Sequence, residues 1–204
     1  MACRLTQQDI DRAVSYHGHM CPGLTLGLRA AEWALEHFGH DDDEDIVCIS
    51  ETDMCAVDAI QALVGCTLGK GNLIYRETGK IAFSFYRRSD GRAARIVSSA
   101  VMIGGEKDAL RRQLMQKQRD GLALSPEEAE MSRRMREENI ERLFSLPFEE
   151  IYAVKEPCWE LPHRARLMDT VPCACCGEGV MESRARLLHG KTWCAVCFRK
   201  LDDR

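Results

Sequence analysis

Two cysteine pairs near the end of the chain, Cys173-x₂-Cys176 and Cys194-x₂-Cys197, are separated by seventeen residues. That spacing falls in the range of structural zinc sites and restricts the last part of the chain to folds built around a metal. Two thiolates three positions apart grip one ion through a tight knuckle, and Gly177 permits the backbone reversal after the first pair. Two such knuckles complete a tetrahedron. A module of about 40 residues buries too little apolar surface to fold unaided, so the ion must supply the missing stability. Cys175 lies between the first pair and can replace Cys176 as ligand, although the knuckle geometry favours Cys173 and Cys176. A redox-active C-x-x-C pair is the competing reading; two matched pairs point instead to structural zinc.

The remaining thiols need an account as well, because the chain holds 11 cysteines in 204 residues, an odd number. Met1 to Ile10 shows no apolar core of a secretory signal, so the expected compartment is the cytoplasm. There, thiols persist as metal ligands, nucleophiles or small core residues rather than as disulfides. With 45% hydrophobic and 29% charged residues, the composition excludes disorder and collagen, and no apolar run is long enough to span a membrane. From His163 onward, 8 Lys/Arg face 5 Asp/Glu. This excess is too small for a nucleic-acid footprint, and a four-thiolate zinc site would nearly cancel it.

Upstream, hydrophobic periodicity predicts a helix from Pro22 to Phe38, with Pro22 at its first position and Cys21 at or beside the N-cap. Ile46 to Ser50 reads as a buried strand and Cys55 to Cys66 as a second helix. Strand-like runs follow at Leu73–Arg76, Ile81–Arg87, Ala94–Ser99 and Ile151–Val154. Glu106–Arg119 is helical, and the capping box Ser125-Pro126-Glu127-Glu128 opens a long charged helix to about Phe144. Met131, Met135 and Leu143 on that helix read as core contacts. The chain divides into an α+β domain over 1–155, a linker over 156–167 and a zinc-finger domain over 168–204.

The stretch Tyr16-His17-Gly18-His19-Met20-Cys21-Pro22-Gly23 carries the densest chemistry. On extended backbone residues 17, 19 and 21 share a face, and Cys21 at a helix N-terminus has its thiolate favoured. Glu51-Thr52-Asp53-Met54-Cys55 repeats the pattern, with a strand leading into a helix that opens on a thiol. The expected site has His19, Cys21 and Cys55 as metal ligands around an open position, with Cys21 and Cys55 as the candidate catalytic thiols. His17 and Cys66 are further ligand candidates, with a core role the competing reading for Cys66, and Asp53 and Asp58 are partners behind the ligands or alternate ligands. A satisfied turn histidine and buried small thiols are the alternative reading. Cys3, Cys48 and Cys158 read as ordinary thiols. Gly65-Cys66-Thr67-Leu68-Gly69-Lys70-Gly71 fails as a P-loop, because only three residues separate the first glycines and Gly71 replaces Ser/Thr. Lys70 is left as a candidate anion-binding charge.

Taken together, His17-Gly18-His19-Met20-Cys21-Pro22-Gly23, Glu51 to Cys55 with Asp58-Ala59-Ile60-Gln61, Gly65-Cys66-Thr67, Gly69-Lys70-Gly71-Asn72 and Gly79-Lys80-Ile81-Ala82-Phe83 resemble the family of formylmethanofuran dehydrogenase E-type subunits. The match runs over about residues 10–155, and the tail resembles a treble-clef zinc finger. The resemblance implies a thioredoxin-like mixed sheet flanked by helices and a His/Cys pocket able to bind zinc. It also implies an accessory or enzymatic role in one-carbon or molybdenum/tungsten-enzyme metabolism, with subunits of such an oxidoreductase as partners. The expected cofactors are a structural zinc in the tail and a second zinc or other transition metal in the pocket, within a homodimer. The alternative is a non-catalytic zinc-finger module that docks a protein or nucleic acid.

Overall fold

The structure, a computed structural model, describes residues 3–99 and 106–202. It divides into two compact units, Met1–Arg164 and Ala165–Arg204. Among the described residues no helix is long and apolar enough to cross a membrane.

The first unit opens on α1 (Gln7–His17), which the hydrophobic pattern did not announce. Its N-cap is Thr6, reciprocally bonded with Asp9 in a capping box built on Asp rather than the usual Glu or Gln. Helix α2 (Pro22–His37) follows after a four-residue turn, with Cys21 at its N-cap as the sequence predicts. Every residue from Leu24 to Ala31 is buried, including Arg29. That guanidinium is tolerated because it donates to the carbonyls of Phe144 and Leu146 at the end of the long helix α5 (Pro126–Ser145) and pairs with Glu32 at 3.3 Å.

A five-stranded mixed sheet forms the other half of the unit, in the order β2-β1-β3-β4-β5. Strands β1 (Ile46–Ser50) and β2 (Leu73–Tyr75) run parallel, while β3 (Ala82–Arg87), β4 (Ala93–Ser98) and β5 (Tyr152–Lys155) each pair antiparallel to their neighbour. Period-2 alternation assigns the two faces. Ile46, Cys48, Phe83, Phe85 and Ile96 pack into one core with the helices, whereas Val47, Ile49 and Tyr86 form a small cluster on the opposite face. Helices flank the sheet as expected, and among the described residues the large core lies on the face carrying Ile46, Cys48, Phe83, Phe85 and Ile96. On the other face the segment after β5 returns: the Tyr86 hydroxyl donates to the Trp159 carbonyl, and the Arg76 guanidinium lies 5.8 Å from the Trp159 ring centre.

The predicted helix Cys55–Cys66 is shorter and less regular than expected. One α-turn, α3 (Ala56–Ala59), passes into a π-turn at Ile60–Val64, which Gly65 ends in a left-handed conformation. Helix α2 seats against α3 through Gly27, where an added Cβ would stand 2.3 Å from the Ala56 carbonyl oxygen. Only glycine lets the two backbones approach that closely, and the approach brings Cys21 and Cys55 together. Helices α4 (Glu106–Arg119) and α6 (Phe148–Ile151) complete this unit.

The second unit consists of two hairpins and a helix. Strand β6 (Thr170–Pro172) pairs with β7 (Gly179–Met181), β8 (Arg186–Leu188) with β9 (Lys191–Trp193), and α7 (Ala195–Asp202) closes the chain. Its buried hydrophobic residues, among those described, are Cys173 and Cys197 alone. A unit whose core is two cysteines has no apolar interior to hold it.

Candidate functional site

In the C-terminal unit the ligand atoms of Cys173, Cys176, Cys194 and Cys197 all lie within 4.8 Å of one another. The backbone prepares the thiolates: Cys194 N–H donates to the Cys173 sulfur at 3.3 Å, and Cys197 N–H to the Cys194 sulfur at 3.4 Å. Amide donation from Cys176, Cys194 and Cys175 brings the Cys173 thiol down to about 6. Its hydrogen bond to Cys194 pushes the Cys197 thiol up, because neighbouring sulfurs cannot all carry charge unless a cation offsets it. The four residues fit a zinc ion. Cys175, the expected alternative to Cys176, hydrogen-bonds the Cys197 thiol but is not among the four mutually close ligand atoms.

In the N-terminal unit, His17, His19 and Cys21 offer ligand atoms within 4.8 Å of one another. The extended segment read from the sequence is only partly present. His17 is the last residue of α1, and the chain reverses at Gly18 with φ 97°, a conformation that favours glycine. Only then does it run extended into Cys21, whose φ and ψ are −148° and 163°. Two helix ends thus meet at one corner. The Cys21 sulfur accepts from the Leu24 N–H at 3.3 Å and lies 3.7 Å from His17 Nε2. The latter distance is close to the ~3.5 Å edge that Zn–N and Zn–S bonds define in a tetrahedron.

Asp58 completes the arrangement. Its carboxylate lies 2.6 Å from His17 Nδ1, which holds that nitrogen's proton and leaves Nε2 free to bind a cation. The His17 and His19 ring centres are 4.7 Å apart. These residues also fit a transition metal.

The expected ligand set changes in two places. His17, a secondary candidate in the sequence, sits inside the cluster. Cys55, expected as the third ligand, stands at its edge: its thiol hydrogen-bonds Cys21, and both sulfurs approach the open side of Gly23, but it is not mutually close to both histidines. Nor does a helix N-terminus activate it, since α3 is a single turn with no side-chain cap bond. Burial, and then the neighbouring Cys21 sulfur, push the Cys55 thiol up instead. Cys66 is a core residue and does not join the site. It donates to the Ile46 carbonyl at 3.6 Å, and burial raises its thiol to about 12. Lys70 is not a free anion anchor, because its ammonium binds the Asp41 carbonyl at 3.0 Å and carboxylate at 3.2 Å. Asp53 is exposed, outside the cluster.

Replacing Asp58 with Asn should weaken metal binding at the N-terminal site about 10- to 100-fold, the cost of losing the carboxylate behind a ligating histidine. Competition with a chelator measures this, and the C-terminal site should be unaffected. Unchanged affinity would contradict the role of Asp58.

Comparison with known proteins identifies the family and the fold. The family model described as "FmdE, Molybdenum formylmethanofuran dehydrogenase operon" matches residues 16–153. A prokaryotic dksA/traR C4-type zinc finger matches residues 163–202. A probable S-adenosyl-L-methionine-binding protein of Archaeoglobus fulgidus is 33% identical over 186 residues, covering 86% of this chain but 49% of that protein. The chain thus spans about half the length of that relative. A crystal structure of a tungsten formylmethanofuran dehydrogenase FmdE-like protein from Syntrophus aciditrophicus superposes with TM-score 0.60 over 94% of this chain and 91% of that one, at 20% identity, and so shares its fold. With its model matched across most of the first unit and a C4 finger after it, the chain belongs to the FmdE family.

Proposed function

We propose that the chain binds two metal ions, a zinc that folds the C-terminal finger and a second transition metal, zinc in the first instance, at His17, His19 and Cys21 with Cys55 alongside. The observation that carries this reading is the mutual approach of the three ligand atoms to within 4.8 Å. A metal bound there supplies Lewis-acid polarisation of a substrate oxygen. The protein's own groups orient the site: Asp58 accepts from His17 Nδ1, and the Leu24 N–H donates to the Cys21 sulfur.

The role we assign is accessory or enzymatic, within one-carbon or molybdenum/tungsten-enzyme metabolism, in a cytoplasmic homodimer that meets subunits of such an oxidoreductase. Family membership supports this assignment. The thioredoxin-like description of the core belongs to the same proposal and draws on the parallel β1–β2 pair continued by antiparallel strands. The name of the Archaeoglobus relative brings in S-adenosyl-L-methionine as a ligand class for the shared domain. A docking role for the finger is the second reading, favoured by Leu167, Leu187 and Val196, which are exposed at 105%, 77% and 64%.

The test is the metal content of a His19→Ala/Cys21→Ser variant. It should lose the N-terminal ion and keep the finger's. A variant that retains the wild-type metal content would overturn the site.

A further inference from the structure

Next to the His/Cys cluster, at the C-terminal ends of the parallel strands β1 and β2, lies a cleft of 230 Å³. Val57, Leu68, Leu73 and Tyr75 form its apolar walls, and Asp53 and Asp58 are its charged lining groups. Among the described residues no lysine, arginine or histidine lines it. Asp58 belongs to both places, since the carboxylate that lines the cleft also holds His17 Nδ1 at 2.6 Å. Its side chain is 32% exposed, so the carboxylate can accept a further bond. Leu68 and Tyr75 leave 64% and 39% of their surface in solvent at the mouth of the cleft, so a ligand there can reach both.

Size and charge define what such a cleft takes. A cavity of roughly 150 Å³ holds one benzene ring, so this volume suits two fused rings. An exposed tyrosine ring offers a stacking face. Asp53, exposed at the cleft, and the part of the Asp58 carboxylate not bound to His17 disfavour anions and accept from N–H donors. We propose that the cleft binds an uncharged or cationic, aminated, two-ring aromatic group, the class to which adenine belongs, and holds it beside the His/Cys cluster. This deepens the metal-site reading, on which it rests for its neighbour.

The test is calorimetric titration of the zinc-loaded full chain with adenine, and with 2-naphthoate as an anion of similar size, while metal content is measured on the same samples. Adenine should bind with a Kd below about 1 mM, and 2-naphthoate at least about tenfold more weakly. Tyr75→Ala and Leu68→Ala change exposed side chains that the core does not need. Loss of the stacking face should cost adenine about tenfold in affinity in Tyr75→Ala, with a smaller loss in Leu68→Ala and metal content unchanged in both. Absent adenine binding, equal binding by wild type and both variants, or equally tight binding of 2-naphthoate would overturn the proposal. Any of these with the N-terminal metal in place leaves the metal-site reading standing; adenine binding without that metal refutes the metal-site reading alone.

Discussion

Replacement of Cys194 by Ser is expected to release one zinc ion and unfold the unit Ala165–Arg204, while Met1–Arg164 keeps its fold. The effect should be large because zinc binding is folding energy in such a module, about 10–16 kcal/mol in comparable peptides. Nothing else in this unit can take its place, since Cys173 and Cys197 are its buried hydrophobic residues among those described. Limited proteolysis read by mass spectrometry should show cuts beyond residue 165 in the variant and none in the wild type. An intact finger with unchanged zinc content would refute the four-thiolate assignment. Cys175→Ser should change neither readout, because that thiol, though it hydrogen-bonds Cys197, is not one of the four mutually close sulfurs.

The second large effect is expected at Glu51, which precedes the segment carrying Cys55. Its carboxylate accepts from Arg95 Nε at 2.6 Å and from the Thr78 hydroxyl at 2.8 Å, with both ion-pair side chains less than a tenth exposed. Glu51→Gln leaves a buried guanidinium without its counter-charge, at a cost of about 3–5 kcal/mol. At roughly 2–4 °C per kcal/mol for a chain of this size, the melting temperature should fall by about 10 °C. Acid should act on the same pair. Burial raises the Glu51 carboxyl, but the Arg95 and Thr78 bonds outweigh it and hold the group below the usual glutamate range. A carboxyl depressed in the folded state stabilises above its unfolded value, and that stabilisation disappears as pH falls through the folded one. Wild type should therefore lose stability in acid over a range where Glu51→Gln, already without the charge, loses less. Parallel acid curves for the two proteins would contradict the ion pair's role.

The parts of this architecture visible in the sequence are those governed by local periodicity. Ile46 to Ser50 and Ile81 to Arg87 announce buried strands because their side chains face two packed surfaces, and Pro22 marks the start of α2 because its missing N–H costs nothing there. Helix α1 escaped notice because Asp9 is a weaker cap signal than Glu, and because Ile10, Ala13 and Val14 form a narrow apolar stripe. That omission turned His17 from a helix terminus into a residue of an extended run. A C4-type finger was legible, since the spacing of the four cysteines that the fold groups together is local. The N-terminal cluster was legible in composition but not in membership. Which of His17, Cys55 and Cys66 reaches Cys21 depends on the α2–α3 approach at Gly27 and on the π-turn at Ile60–Val64, and no sequence window contains both.

The most direct measurement is the number of metal ions carried by the wild-type chain, by native mass spectrometry with elemental analysis. The two-site account predicts about two zinc or zinc-like ions per chain, one bound by sulfur alone and one by mixed nitrogen and sulfur in X-ray absorption. A single all-sulfur zinc per chain would contradict it.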